Sequence, residues 1–288
     1  HILIDDTYDN SFHLKFNDVT KNRYLGKDTL NGKIADATGG LPIYKTSDDY
    51  GDVKGSGTES DSNSANLLLA LPLDATATTS LEATIHGSGS NRTLTNEAAQ
   101  SFSTKGRFYG SSIDFGHNSC GLTVPASSDW DRGTGDLTIE CWINKNTTSS
   151  NDYLLNSAEN AFAFYFNTGG LYHGNFSSGG NNSEQEILDI ADYPYNQWFH
   201  LSIVKASGSF KVYVNGALKK TTASNYTVGS NAVLQVGNNT AANNLYVDAY
   251  VQDLKIYSSA IRSANFTAPN RNDFTVNNLA HDTGPTAV

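Results

Sequence analysis

Three groups of residues in this chain have types and spacings that could do chemistry. The first pairs aromatic rings with amides and carboxylates. A sugar presents apolar C–H faces and a rim of hydroxyls, so an amphipathic aromatic beside a polar group suits it. Two stretches fit: Tyr172, His173 and Asn175 beside the loop 177–184, and Asp192, Tyr193, Tyr195 and Asn196 ahead of Trp198. Competing with this is plain packing, which is the expected role of Trp198 and of part of the tyrosines. The second group is carboxylates. Glycoside hydrolysis needs two of them facing one bond. Glu140 stands alone on its strand and reads as an exposed strand residue, while Glu184-Gln-Glu186 borders a Gly- and Asn-rich loop. The third group is nucleophiles and bases. No serine sits in a Gly-x-Ser-x-Gly elbow, and the seven histidines are scattered. His200, next to Trp198, reads as hydrogen-bonded within a sheet. There is no zinc spacing and no phosphate loop, so no catalytic residue is expected.

The elements that must position these residues are strands. From Asp136 to Lys220 the sequence alternates with period two. Leu137, Ile139, Cys141 and Ile143 share one face, and Thr138, Glu140 and Trp142 the other. Phe199, Leu201 and Ile203 repeat the pattern, then Phe210, Val212 and Val214 after a Ser207-Gly208 turn. Asn215-Gly216 supplies the positive φ angles of a tight hairpin. This writing predicts an antiparallel sheet with one buried face. Further short strands are predicted from Ser111 to Tyr257, among them Tyr153–Asn156, Phe162–Asn167, Leu171–Phe176 and Glu186–Asp189. Many short strands between turn signals predict a sandwich or barrel. Along Leu245–Tyr257 the apolar parity switches, which predicts a bulge near Gln252-Asp253.

Composition agrees. The 288 residues carry 17% charged side chains, fifteen Tyr and thirteen Phe, a β-rich profile. A net charge of −10 excludes the basic footprint that nucleic-acid binding requires. No apolar run approaches the ~20 residues of a membrane span. Cys120 and Cys141 form no disulfide framework; a buried free thiol and a pair on neighbouring strands both remain open. The absence of methionine reads as a processed product or a piece of a longer polypeptide. The predicted organisation is an N-terminal extension at 1–50, a Gly-, Ser- and acid-rich linker at 51–64, a sandwich domain at 65–268 and a polar tail at 269–288.

Four signposts in this order resemble the laminin G-like, concanavalin A-like lectin/glucanase superfamily. They are Phe108-Tyr-Gly-Ser-Ser-Ile-Asp-Phe115, Asp136-Leu-Thr-Ile-Glu-Cys-Trp142, Trp198-Phe-His200 with Val212-Tyr-Val-Asn-Gly216, and Tyr250-Val-Gln-Asp-Leu-Lys-Ile-Tyr257. The resemblance implies an all-β, two-sheet antiparallel jelly-roll sandwich whose concave face or rim loops bind glycans. Hydrolases of the superfamily carry a Glu-x-Asp-x-x-Glu strand, which is missing here, so no enzyme is expected. Some members hold calcium through a late Asp-Asp pair, here Gln252-Asp253. With one carboxylate left for an ion that takes six to eight oxygens, no cofactor is expected. Asp253 is a weak calcium candidate, and its competing role is that of a surface or turn residue. Leu67–Leu73 and Ile261-Arg-Ser-Ala-Asn-Phe266 resemble modules of marine tailed-bacteriophage structural proteins. Phe12-His-Leu-Lys-Phe16 and Asp273-Phe-Thr-Val-Asn-Asn-Leu279 resemble pieces of such modules. The resemblance implies a virion surface or tail protein, outside cells, assembled with other virion subunits and with copies of itself, and presenting its loops to a host glycan. The alternatives are a capsid or tail packing protein with no ligand, and a module or enzyme of a secreted glycan-processing system.

Overall fold

The computed structural model describes residues 63, 66–71, 73, 82–83, 92–96, 101–103, 105–107, 112–116, 121–147, 151–157, 162–176, 182–224, 227–229, 232–239 and 245–269. All lie in one compact unit, Ser62–Phe274. The expected extension at 1–50, most of the linker, the tail beyond 269 and Cys120 lie outside the described residues.

In chain order the strands are β1 (Leu67–Leu71), β2 (Glu82–Ala83), β3 (Arg92–Thr93), β4 (Thr95–Asn96), β5 (Ser101–Ser103), β6 (Ser112–Asp114), β7 (Leu122–Val124), β8 (Leu137–Lys145), β9 (Asp152–Ser157) and β10 (Ala163–Asn167). They continue as β11 (Gly170–Phe176), β12 (Asn182–Asp189), β13 (Trp198–Ala206), β14 (Ser209–Val214), β15 (Ala217–Ala223), β16 (Leu234–Val236), β17 (Asn238–Asn239), β18 (Leu245–Tyr246) and β19 (Ala249–Tyr257). Two antiparallel sheets face each other. One runs β15-β14-β13-β8-β19-β6-β5, with β1 also on β19; the other runs β12-β11-β10-β9-β16-β7-β4. This is the sandwich the strand spacing predicts, with the jelly-roll form the resemblance implies.

The core is made by the inner parity of both sheets. On β8 and β13, Ile139 faces Ile203, Cys141 faces Leu201 and Ile143 faces Phe199, all within one buried cluster. Opposite them stand Phe164, Phe166, Leu171 and Ile187. Along β19 the register against β8 slips between Gln252 and Lys255, and Asp253 takes φ +53°. This bulge returns Leu254 and Ile256 to the face already held by Ala249 and Val251, so the whole strand serves the core. Asp253 is itself buried, which corrects its reading as a surface residue.

One expectation fails instructively. The outer face of the β8–β13 region does not meet solvent: Thr138, Glu140, Trp142, His200, Ser202 and Tyr213 are all buried. A C-terminal strap, residues 258–268, lies across it. Thr138 Oγ1 donates to Ser259 O (2.7 Å) and accepts from Ile261 N (3.1 Å). Arg262 grips Glu140 through Nε and Nη2 at 2.8 and 3.2 Å. Phe266 packs over His200 and Tyr213, and its N–H donates to Gly216 O. A side chain at Gly216 would meet the Phe266 carbonyl, so the Asn215-Gly216 turn serves the strap as well as the hairpin. Glu140 is therefore not an exposed strand residue. It is a buried anion whose pKa burial would raise, but His200 and Arg262 together bring it below the usual carboxylate range. Cys141, on the core side, is a buried free thiol, pushed up in pKa by burial and by Glu140.

Candidate functional site

The strands β9 to β12 build the site on their outer face. Inward, Phe164, Phe166 and Leu171 fill the core, so the pleat sends Tyr165 and Tyr172 outward; Tyr153 joins them through the register slip on β9, which pairs Leu155 with Phe164 but Tyr153 with Tyr165. The register then sets them directly opposite one another, Tyr153 against Tyr165 and Tyr165 against Tyr172. The rings stack with centroids 4.9 Å and 5.8 Å apart and interplanar angles of 20° and 23°. Such cross-strand aromatic pairs stabilise a sheet by roughly 0.5–1 kcal/mol each.

The row runs on into carboxylates. Glu186 pairs with Tyr172 and Glu184 with Gly174 in the register. Gly174 has no side chain between Ala163 and Glu184, and the phenol of Tyr165 crosses there to donate to Glu184 Oε2. Tyr172 Oη donates to Glu186 Oε2 at 3.5 Å. Lys220, from the edge strand of the other sheet, donates to Glu186 Oε1. Burial first, then the neighbouring glutamates, push the phenols of Tyr165 and Tyr172 up in pKa, so both stay protonated donors at neutral pH. Tyr153 is raised by burial against a hydrogen bond to Asn239. Tyr153 and Tyr165 are buried, Tyr172 and Glu186 half-buried, and Glu184 exposed. The row thus ends at the surface in a ring edge and two carboxylates.

A second place lies on the rim. Asp189 Oδ1 accepts from Ala191 N (2.9 Å) and caps a single 3-10 turn, Ile190–Asp192. The chain then turns Tyr193 inward, where it stacks on Phe199 at 5.6 Å and meets the edge of Phe166. Tyr195 Oη donates to Tyr193 Oη at 3.3 Å. Asn196, exposed at φ +56°, donates its N–H to Lys145 O. A hollow of about 490 Å³ opens here between Asp192, Tyr193 and Pro194 on one side and Val214, Asn215 and Lys219 on the other.

The sequence-predicted residues separate accordingly. Tyr172 and His173, as strand neighbours, face opposite ways. His173 is fully buried, stacked on Phe164 at 5.0 Å, with Nδ1 against Ala163 O at 3.1 Å. Burial pulls its pKa down to about 4. A neutral imidazole inside the core cannot meet a ligand on the outer face, and the expectation for His173 is corrected. Asn175 lies on β11, and its side chain is outside the described residues. Asp192 and Tyr193 do share the hollow, although Tyr193 is also core. Trp198, expected in the core, is half-buried on the outer parity, opposite Asn144. Sequence reasoning missed Tyr153 and Tyr165; the signal for Tyr165 was its parity opposite to Phe164 and Phe166, whereas Tyr153 shares the parity of Leu155 and is set outward only by the register slip. It also missed Lys219, hidden behind a turn that hairpin geometry alone explained.

Among the described residues no group of three or more His, Cys, Asp or Glu could hold a metal ion. Lys145 and Asp152, both buried, pair beside the rim. No helix among the described residues is long and apolar enough to cross a membrane.

Two antiparallel sheets packed on one core define a jelly-roll sandwich. The chain belongs to the concanavalin A-like lectin/glucanases superfamily: a laminin G family model of that description matches residues 116–265, just over half of its length. No curated protein matches it by sequence. Among solved structures it is similar to the botulinum neurotoxin serotype D binding domain, at 16% identity and a TM-score of 0.51, over 70% of this chain and 49% of that one. It is similar also to domain 4 of AbnA, a GH43 extracellular arabinanase from Geobacillus stearothermophilus, solved in complex with arabinotriose. That likeness has 18% identity and a TM-score of 0.48, over 68% of this chain and 95% of that one. The chain spans about half the length of the neurotoxin domain. At these identities the likeness is one of fold.

Proposed function

We propose that this chain is a non-catalytic glycan-recognition module whose binding surface is the outer face of β10–β12. The observation that carries the reading is the surfacing end of the tyrosine row, where Tyr172 stands half-buried beside the carboxylates of Glu184 and Glu186. Ionised carboxylates accept hydrogen bonds from hydroxyls, and an aromatic edge excludes water from them. The hollow bounded by Asp192, Tyr193 and Asn215 is a second contact region for a longer ligand. Membership in a lectin and glucanase superfamily supports the same chemistry. The absence of catalysis is supported by the state of Glu140, which is locked to Arg262 beneath the strap.

In this reading the sandwich, residues 65–268, sits on the surface or tail of a virion, outside cells. Its partners in this reading are other virion subunits and copies of itself. Weak single-site contacts then become firm attachment through copy number. The virion setting rests on the phage-like wording of Leu67–Leu73 and Ile261–Phe266. A glycan array probed with the intact chain tests the proposal. Binding to a defined glycan set, weakened about tenfold or more by Tyr172→Ala with the fold retained, is expected. No binding together with tight co-assembly on particles replaces it with the packing protein. Polysaccharide turnover lost in Glu184→Gln or Glu186→Gln replaces it with an enzyme.

A further inference from the structure

The polar groups at the end of the tyrosine row differ in kind as well as position. Glu184 uses Oε2 to accept from Tyr165 and is exposed to solvent. Glu186 uses Oε1 for Lys220 and Oε2 for Tyr172. Asp189, on the same strand and also exposed, adds to the charge felt by the Tyr172 phenol. The ammonium of Lys220 is committed to Glu186. The phenols of Tyr165 and Tyr172 point their protons at the carboxylates, so they offer a ligand little donor capacity. What faces outward is acceptor-rich and negative.

The rings add a geometric restriction. Tyr165 is stacked between Tyr153 and Tyr172, so both of its faces and one face of each neighbour are taken. A ligand meets the end of the row and the carboxylate oxygens beside it. It must therefore supply hydroxyl protons to carboxylate oxygens, and it must not bring a negative charge of its own, since like charges brought together across a contact are strongly disfavoured.

Resting on the glycan-recognition reading above, we infer that this surface selects neutral, hydroxyl-rich glycans and rejects those bearing carboxylate or sulfate groups. A vicinal diol matches the exposed carboxylate of Glu184: two O–H groups donate to its oxygens as charge-assisted hydrogen bonds. Because the ligand is uncharged, its affinity varies little with salt, whereas an ion-paired ligand would lose affinity as screening sets in. A uronate, sialylated or sulfated chain places an anion against Glu184, Glu186 and Asp189 with the one paired lysine already engaged.

The test is calorimetric titration of the intact chain with two sets of probes, at about 20 mM and about 300 mM NaCl. The probes are neutral gluco-, manno- and galacto-oligosaccharides, and anionic polygalacturonate and sialyllactose. Expected is binding of a neutral probe that changes less than about twofold with salt, and at least tenfold weaker binding of every anionic probe. Glu184→Gln should weaken the neutral ligand about tenfold and narrow the gap to the anionic ones. Tighter binding of an anionic probe, steepening at low salt, overturns the inference while leaving glycan recognition standing. Neutral binding indifferent to Glu184→Gln overturns it too, because the site then lies elsewhere. Binding of no probe removes the recognition reading and the inference with it.

Discussion

Two buried histidines make the protein acid-sensitive. His173 lies between Phe164 and Phe210, and His200 lies beneath Phe266 and beside Trp142. Burial brings both pKa values down to about 4, whereas in the unfolded chain they return to about 6.5. Between those values the unfolded state binds more protons, so stability rises with pH. It is fully present above about pH 6.5, falls as the pH drops toward 4, and levels off below. Each histidine accounts for up to roughly 3 kcal/mol of that loss. Glu140, with its lowered pKa, adds a loss of the same sign at lower pH. Urea denaturation at pH 7 and pH 4.5 checks this, and His173→Phe should flatten about half of the slope while keeping the ring stacking. A second residue-scale prediction concerns Lys145 and Asp152, whose side chains are 1% and 6% exposed. Asp152→Asn leaves a buried ammonium without its anion and should cost about 3–5 kcal/mol in denaturant melts.

At the scale of elements, the strap holds the outer face of the first sheet. Arg262→Ala should destabilise the fold by about 2–3 kcal/mol, less than a fully buried pair because the arginine side chain is a quarter exposed. The double variant with Glu140→Gln should recover part of that, which a double-mutant cycle measures. The strap also explains where the sequence misleads. Strand positions were legible because period-two alternation is a local signal, and the bulge at Gln252-Asp253 was legible because the apolar parity switches there. The cover was not. Thr138, Glu140 and His200 have the polar character of a solvent face, and only the closing segment, far along the chain, makes them interior. Trp142 and Tyr213 on that same parity were the available hint, two large aromatics on a face read as wet. The tyrosine row was half legible for the same reason. Tyr172 was found by its polar neighbours, but Tyr153 and Tyr165 come beside it only through the registers of β9 with β10 and of β10 with β11, which no single strand encodes.

At the scale of the molecule, the two sheets divide their labour. The β8–β13 region of the first sheet closes both of its faces, one on the core and one under the strap. The β10–β12 region closes one face and leaves the end of an aromatic row at the surface, joined to the other sheet by Lys220 and Glu186. The proposed recognition surface therefore lies on the second sheet. The most direct test is amide chemical-shift mapping of the isotope-labelled chain titrated with the neutral oligosaccharide that binds best. The account predicts shifts concentrated on Tyr172–Gly174 and Glu184–Glu186, abolished by Tyr172→Ala. Shifts confined to the strap-covered face, or to the hollow between Asp192 and Lys219 alone, would contradict it.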